Sequence, residues 1–233
     1  MVRNWKTVWD ARQLDPSRGS LLAQLMAADG LDTGFGNVSE SSWHAFVQQV
    51  GRAVDLQAGD RVFEVGCGAG AFLYEWSLTG IDVAGIDQSA ALVDYASRAM
   101  PDGHFSVGDA AGITSDDPFD IVLSCGVFLY FPSHAYAQDI VQRMSSKASR
   151  AVAILDVPDR AKEEAALAAR CASLGPDEYR ARYTGLDHVY YEKEWMVEAM
   201  TKAGLTDVRI EDQQIPGYAN GAFRFNAFGF KRR

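Results

Sequence analysis

The stretch Arg61 to Phe72, RVFEVGCGAGAF, places the tightest constraint on how this chain can fold. An apolar run (Val62, Phe63, Val65) leads directly into glycines at alternate positions, Gly66, Gly68 and Gly70. That order reads as a buried strand, a tight turn and the start of a helix. Glycine there allows positive φ and lets another molecule approach a backbone that carries no Cβ. Folding alone rarely needs three spaced glycines after a strand, so the turn is expected to hold a nucleoside cofactor.

From Arg61 onward the pattern alternates. Strands are expected at Ile81 to Ile86, His104 to Val107, Phe119 to Leu123 and Ala151 to Leu155. Helical segments lie between them, at Ala69 to Leu78, Ala90 to Met100 and His134 to Ser145. Strands separated by helical segments of this kind make βαβ units and a parallel sheet.

The flanks read differently. Residues 1–60 form a helical cap in which Trp5 and Trp9, four apart with Arg12 one turn on, share a face. A second apolar pattern runs from Leu21 to Met26, followed by a glycine-rich connection (Gly30, Gly34, Gly36). A third helix starts near Ser39, with Trp43, Phe46, Val47 and Val50 at helical spacing. After the core at 61–155, residues 156–204 read as a helical insertion or lid, with helices at Asp159 to Cys171, Asp177 to Tyr183 and Glu192 to Ala203. Residues 205–233 close the chain as an antiparallel hairpin of Thr206 to Glu211 and Phe223 to Phe230.

Composition bounds the partners. With 233 residues, 48% hydrophobic and 23% charged, the chain fits one soluble domain. Its net charge of -9 argues against a large nucleic-acid or anionic-membrane footprint, which would recruit basic stripes. No secretory h-region is visible in MVRNWKTVW, and no apolar run approaches a membrane span. Cys67, Cys125 and Cys171 are far apart with no CxxC pair, which excludes a disulfide framework and a standard zinc site. A reduced, cytoplasmic protein without a metal is the expectation.

Ligands on open α/β sheets sit at the carboxyl ends of the strands. The first four strand ends carry the glycine turn, Asp87, Asp109 and Ser124-Cys125-Gly126. Asp87 lies 17 residues past Gly70, where a carboxylate can accept both hydroxyls of a ribose. Asp109 is placed to accept from an adenine amine. Either aspartate alone could be a turn or capping residue.

These segments resemble the motifs of the class I S-adenosylmethionine-dependent methyltransferases: FEVGCGAGAF the first, GIDQS the second, GDA the third and FDIVLSCGVFLYF the fourth. The resemblance covers Gly59 to Leu155. It implies a doubly wound α/β fold with a mostly parallel seven-stranded sheet, order 3-2-1-4-5-7-6, the last strand antiparallel. It also implies S-adenosylmethionine as cofactor, released as S-adenosylhomocysteine. Glu64 and the backbone of Gly66, Cys67 and Gly68 would face the methionine part, Asp87 the ribose, and Gln88, Asp109 and Ala110 the adenine. The backbone at Ser124 and Cys125 would reach the methionine amine. Gly66, Gly68 and Ala71 also satisfy the dinucleotide fingerprint, so a nicotinamide oxidoreductase competes. Glu64 within the strand, GDA after the third strand and the absence of Tyr-x-x-x-Lys speak against it.

The acceptor is harder to read. The fourth motif lacks the Asn/Asp-Pro-Pro-aromatic of many enzymes that act on nucleobase amines, so a small-molecule acceptor methylated on O or N is expected, without nucleic-acid or membrane partners. A C-methyltransferase and a binder that does not methylate stay open. His188 is the candidate base, or else a ring packed among aromatics. Tyr190 could orient a substrate hydroxyl. Trp9, Tyr130, Tyr191, Tyr218 and Arg224 are the expected substrate-side residues, with Arg224 favouring an acidic acceptor if it points inward. His134, after Pro132-Ser133, reads as the first turn of a helix.

Overall fold

Alternation along the core strands builds a sheet with two covered faces. The computed structural model describes residues 4–31 and 38–232; Gly34 and Gly36 of the expected connection lie outside them. β1 (Arg61–Val65), β2 (Asp82–Asp87), β3 (His104–Val107), β4 (Phe119–Cys125), β5 (Ala148–Pro158), β6 (Thr206–Asp212) and β7 (Arg224–Phe230) form one sheet. Its order is β3-β2-β1-β4-β5-β7-β6. β1 to β5 pair in parallel, and β7 runs antiparallel to both β5 and β6. The sheet thus has the expected order and polarity.

Successive side chains point to opposite faces. Val62, Ile121, Leu123, Ala151 and Ala153 pack on one side, against α2 (Leu21–Ala28), α3 (Glu40–Ala53), α4 (Ala71–Ser77) and α5 (Ala90–Ala99). Val65, Val122, Val152 and Ile154 pack on the other, against α6 (His134–Lys147) and α9 (Lys193–Lys202). Burial on both faces explains why these strands are almost continuously apolar. The short α1 (Trp5–Asp10) precedes α2; α7 (Glu163–Leu174) and α8 (Pro176–Tyr183) form the insertion.

Several boundaries depart from the sequence expectation, three of them next to the site. α4 starts at Ala71, because Gly70 is its N-cap at φ 87°. α7 starts at Glu163, after a single 3-10 turn over Arg160–Lys162 capped by Asp159. β5 runs on to Pro158, held by pairing of Val157 with Phe225 and Pro158 with Arg224 on β7. The register shifts between Ile154 and Val157, and Asp156 in the gap has φ 58°. A bulge of this kind re-aims a side chain, and here it turns Asp156 toward the carboxyl ends of the strands. Among the described residues, no helix is long and apolar enough to cross a membrane.

Candidate functional site

The carboxyl ends of β1, β2, β4 and β5 open into a cavity of about 720 Å³. That volume lies within the roughly 300–1,000 Å³ typical of small-molecule sites. One end is acidic. The backbone N–H groups of Gly66 and Cys67 donate to Ile86 O, which holds the turn against β2. Gly68 has φ 54° and donates from its N–H to Asp87 Oδ2 at 3.0 Å. Asp87 Oδ1 accepts from Ser89 N. A third carboxylate arrives from the cap: Asp29, at the end of α2, accepts from Ala69 N at 2.6 Å and Ala71 N at 3.0 Å. A Cβ on Gly68 would stand 2.2 Å from Asp29 Oδ1, so any other residue would displace that carboxylate as well as strain the positive φ.

Glu64 is only 2% exposed, and its Oε2 has no hydrogen-bond partner among the described residues. Burial first, then the charges of Asp29 and Asp87, push its carboxyl well above the usual range. Burial likewise raises Asp87, and it pushes Asp29 up to about 7 against the backbone donors that favour its charged form. Three carboxylates crowded into a water-poor end, one with an orphaned oxygen, call for a cationic ligand. Asp109 and Ala110 line the same cavity, where the Tyr136 hydroxyl donates to Asp109 Oδ1 and Asp109 caps Ala111 N. Gln88 also lines it.

The opposite end is aromatic and carries positive charge. Trp5 lies 4.6 Å from Tyr130 between ring centroids and stacks on His188 at 4.9 Å with planes 10° apart. Trp9 meets Tyr130 edge-on at 5.5 Å. Arg170 and Arg224, each 7% exposed, both line the cavity. Arg170 Nη1 lies 2.7 Å from His188 Nδ1, and its Nη2 donates to the Tyr190 hydroxyl. Arg224 Nη1 donates to Asp156 O at 3.0 Å and lies 3.7 Å from Asp156 Oδ2. The Tyr218 hydroxyl donates to the same Asp156 oxygen at 2.8 Å. Burial raises the phenols of Tyr130 and, with the Asp156 charge, Tyr218, so both stay protonated donors.

Residues 62–153 match the family model for a methyltransferase domain. A curated relative, the 23S rRNA (uracil(1939)-C(5))-methyltransferase RlmD of Bordetella avium (strain 197N), is 32% identical over 91 residues. The match takes in 37% of this chain and 19% of that protein, so the chain spans about a fifth of the relative's length. Among solved structures, a putative methyltransferase of Haloferax volcanii in complex with the Trm112 activator superposes with TM-score 0.68 at 17% identity, covering 100% of both chains. The SAM-bound magnesium protoporphyrin IX methyltransferase of Synechocystis PCC 6803 gives TM-score 0.60 at 15% identity, covering 82% of this chain and 81% of that one. These structures speak for the fold. Residues 62–153 thus carry a methyltransferase domain, in a sheet of the order that the resemblance to the class I S-adenosylmethionine-dependent methyltransferases implied.

Most of the sequence-derived site residues converge on the cavity: Glu64, Gly66, Cys67, Gly68, Asp87, Gln88, Asp109, Ala110 and Cys125 at one end, Trp9, Tyr130, His188, Tyr218 and Arg224 at the other. Three do not. Ser124 is fully buried and donates from Oγ to Val65 O at 2.9 Å, tying β4 to β1. Tyr191 is fully buried, and its hydroxyl donates to Phe128 O at 2.8 Å. Tyr190 packs behind the wall with its hydroxyl on Arg170. His134 opens α6 with Ser133 as N-cap, the helical position expected for it.

The role expected of His188 needs correction. An arginine cannot accept a proton bond, so Arg170 donates to Nδ1 and leaves the imidazole hydrogen on Nε2. Burial, with Arg170 and Arg224 nearby, pushes the imidazole down to about 2. His188 is therefore a neutral donor and a poor base. Cys67 and Cys125 remain thiols, both pushed well up by burial.

Sequence reasoning missed Asp29, Asp156, Arg170 and Tyr136. Asp156 had a signal: it follows Leu155, and the strand-end rule used for the first four strands applies to the fifth as well. Arg170 sits on an alanine-rich charged helix that reads as solvent-facing. Nothing local distinguishes Asp29.

Proposed function

We propose that this protein transfers the methyl group of S-adenosylmethionine to an oxygen or nitrogen of a small molecule. The observation that carries the reading is one continuous cavity with carboxylates at one end and an aromatic, arginine-bearing chamber at the other. Glu64, Asp29 and Asp87 would hold the cofactor's cationic and ribose parts, with Asp109 and Tyr136 at the adenine. Bound there, the cofactor would supply an electrophilic sulfonium methyl group for an in-line displacement, with S-adenosylhomocysteine as the leaving group.

The protein's own contribution is alignment and a proton acceptor. Trp5, Trp9 and Tyr130 shield the reacting end from water. Asp156 is the carboxylate at the acceptor end, 3.7 Å from where a Cβ on Gly126 would stand. It takes the proton that an O–H or N–H nucleophile gives up. Neutral His188 positions the acceptor through its Nε2–H.

An RNA acceptor, as named for the Bordetella relative, fits less well. That similarity covers 37% of this chain, and the chain's net charge is -9. The test is incubation with methyl-labelled S-adenosylmethionine and either total RNA or a low-mass metabolite extract. Label is expected in the low-mass fraction; label confined to RNA would overturn the reading, and no S-adenosylhomocysteine from either would leave a binder without transfer.

A further inference from the structure

Charge at the acceptor end does not balance. Arg170 is 7% exposed, yet the groups that take its hydrogen bonds are Ala166 O, His188 Nδ1 and the Tyr190 hydroxyl, all neutral. No carboxylate among the described residues lies within ion-pair distance of it. Arg224 faces one carboxylate, Asp156, and uses only Nη1 within the protein. Its Nε and Nη2 have no hydrogen-bond partner among the described residues, and Arg224 lines the cavity. Two buried guanidiniums, Arg170 and Arg224, thus share one carboxylate, Asp156, and the Arg12 guanidinium beside Trp9 adds to the positive side.

An uncompensated buried charge is costly, and the ordinary remedy is an opposite charge held by hydrogen bonds. Arg224 presents the planar fork that matches a carboxylate. The tautomer of His188 adds an Nε2–H donor to the same chamber. The walls select shape as well: the Trp5, Trp9 and Tyr130 rings offer faces and edges to a flat ring.

Building on the proposed methyl transfer, we propose that the acceptor is a small aromatic monocarboxylate, whose carboxylate is read by the free edge of Arg224. One negative charge offsets the excess of Arg170 and Arg224 over Asp156. A phosphate dianion would overshoot and meet Asp156, 3.7 Å from the same guanidinium. Asp156 then removes the proton of the acceptor's hydroxyl or amine, and the carboxylate stays a handle.

Calorimetry on the protein saturated with S-adenosylhomocysteine tests this, with three probes of similar shape: 4-hydroxybenzoate, 4-hydroxybenzamide and phenyl phosphate. The carboxylate is expected to bind about ten-fold tighter than the amide, as a charge-assisted fork should. Arg224→Gln should erase that preference, while binding of S-adenosylhomocysteine shows that the variant is folded. Asp156→Asn adds one net positive charge and should move the preference toward phenyl phosphate; asparagine tolerates the positive φ there. Equal binding of acid and amide, a preference that survives Arg224→Gln, or phosphate favoured by the unaltered protein would each overturn the inference. Failure to bind S-adenosylhomocysteine at all would instead sink the cofactor reading on which it rests.

Discussion

Glu64 is a carboxylate held where one of its oxygens meets neither water nor a donor. Its carboxyl is raised by burial and by Asp29 and Asp87, so the folded protein holds that proton more firmly than the unfolded chain does. The stability it contributes is therefore full below the unfolded value of about 4.3 and is lost as pH rises through the raised one. The cofactor-free protein should lose thermal stability progressively as pH rises above about 4.3. Glu64→Gln should lose less, matching the parent at the acid end and exceeding it at the alkaline end. The same change should weaken S-adenosylmethionine binding by about ten- to a hundred-fold, the scale of a hydrogen bond to a charged group. Melting curves across pH decide it: a constant gap between the two proteins would remove Glu64 from the electrostatic account. At this scale, Glu64 and Asp87 were legible because they stand in or beside the glycine turn's own strand. Asp29 was not, since its partners, Ala69 and Ala71, lie 40 and 42 residues away.

α1 has six residues and none fully buried. Isolated helices that short do not hold in water, so tertiary contacts must fix it. A capping box between Asn4 and Thr7 closes its first turn. Trp5 then ties it across the cavity mouth, donating from Nε1 to Asp187 O at 3.1 Å and stacking on His188. The helix is thus a cover pinned at the mouth by Trp5, while Trp9 packs against the core cluster and Tyr130. Trp5→Ala should raise the acceptor KM about ten-fold, the loss of one well-placed aromatic contact. Melting temperature should hardly move, because no core side chain is touched. A large fall in melting temperature with KM intact would make Trp5 a packing residue. The shared face of Trp5 and Trp9 was legible from their spacing. What they face was not, because the stretch from Leu186 to Tyr191 reaches them only through the fold. The same holds for β5: its apolar run ends at Leu155, and only pairing with β7 carries the strand past the bulge to Pro158.

Across the whole molecule, 31 acidic residues outnumber 22 basic ones, while the acceptor chamber inside carries two buried arginines. An acidic exterior repels polyanions at a distance, and screening by salt acts on that exterior rather than on buried pairs. The opposition of outside and inside could not be read from composition, since net charge says nothing of which charges the fold encloses. It does separate the two acceptor classes. An enzyme that grips RNA neutralises several phosphates, and its affinity falls with salt at a logarithmic slope of several. A small monoanion seated in the chamber displaces almost no counterions. The slope of log kcat/KM against log salt, measured between about 0.05 and 0.2 M, should therefore be smaller than about one. A slope of several would mean that the acceptor is a polyanion bound along the outside, and the basic patch responsible would have to lie beyond the cavity.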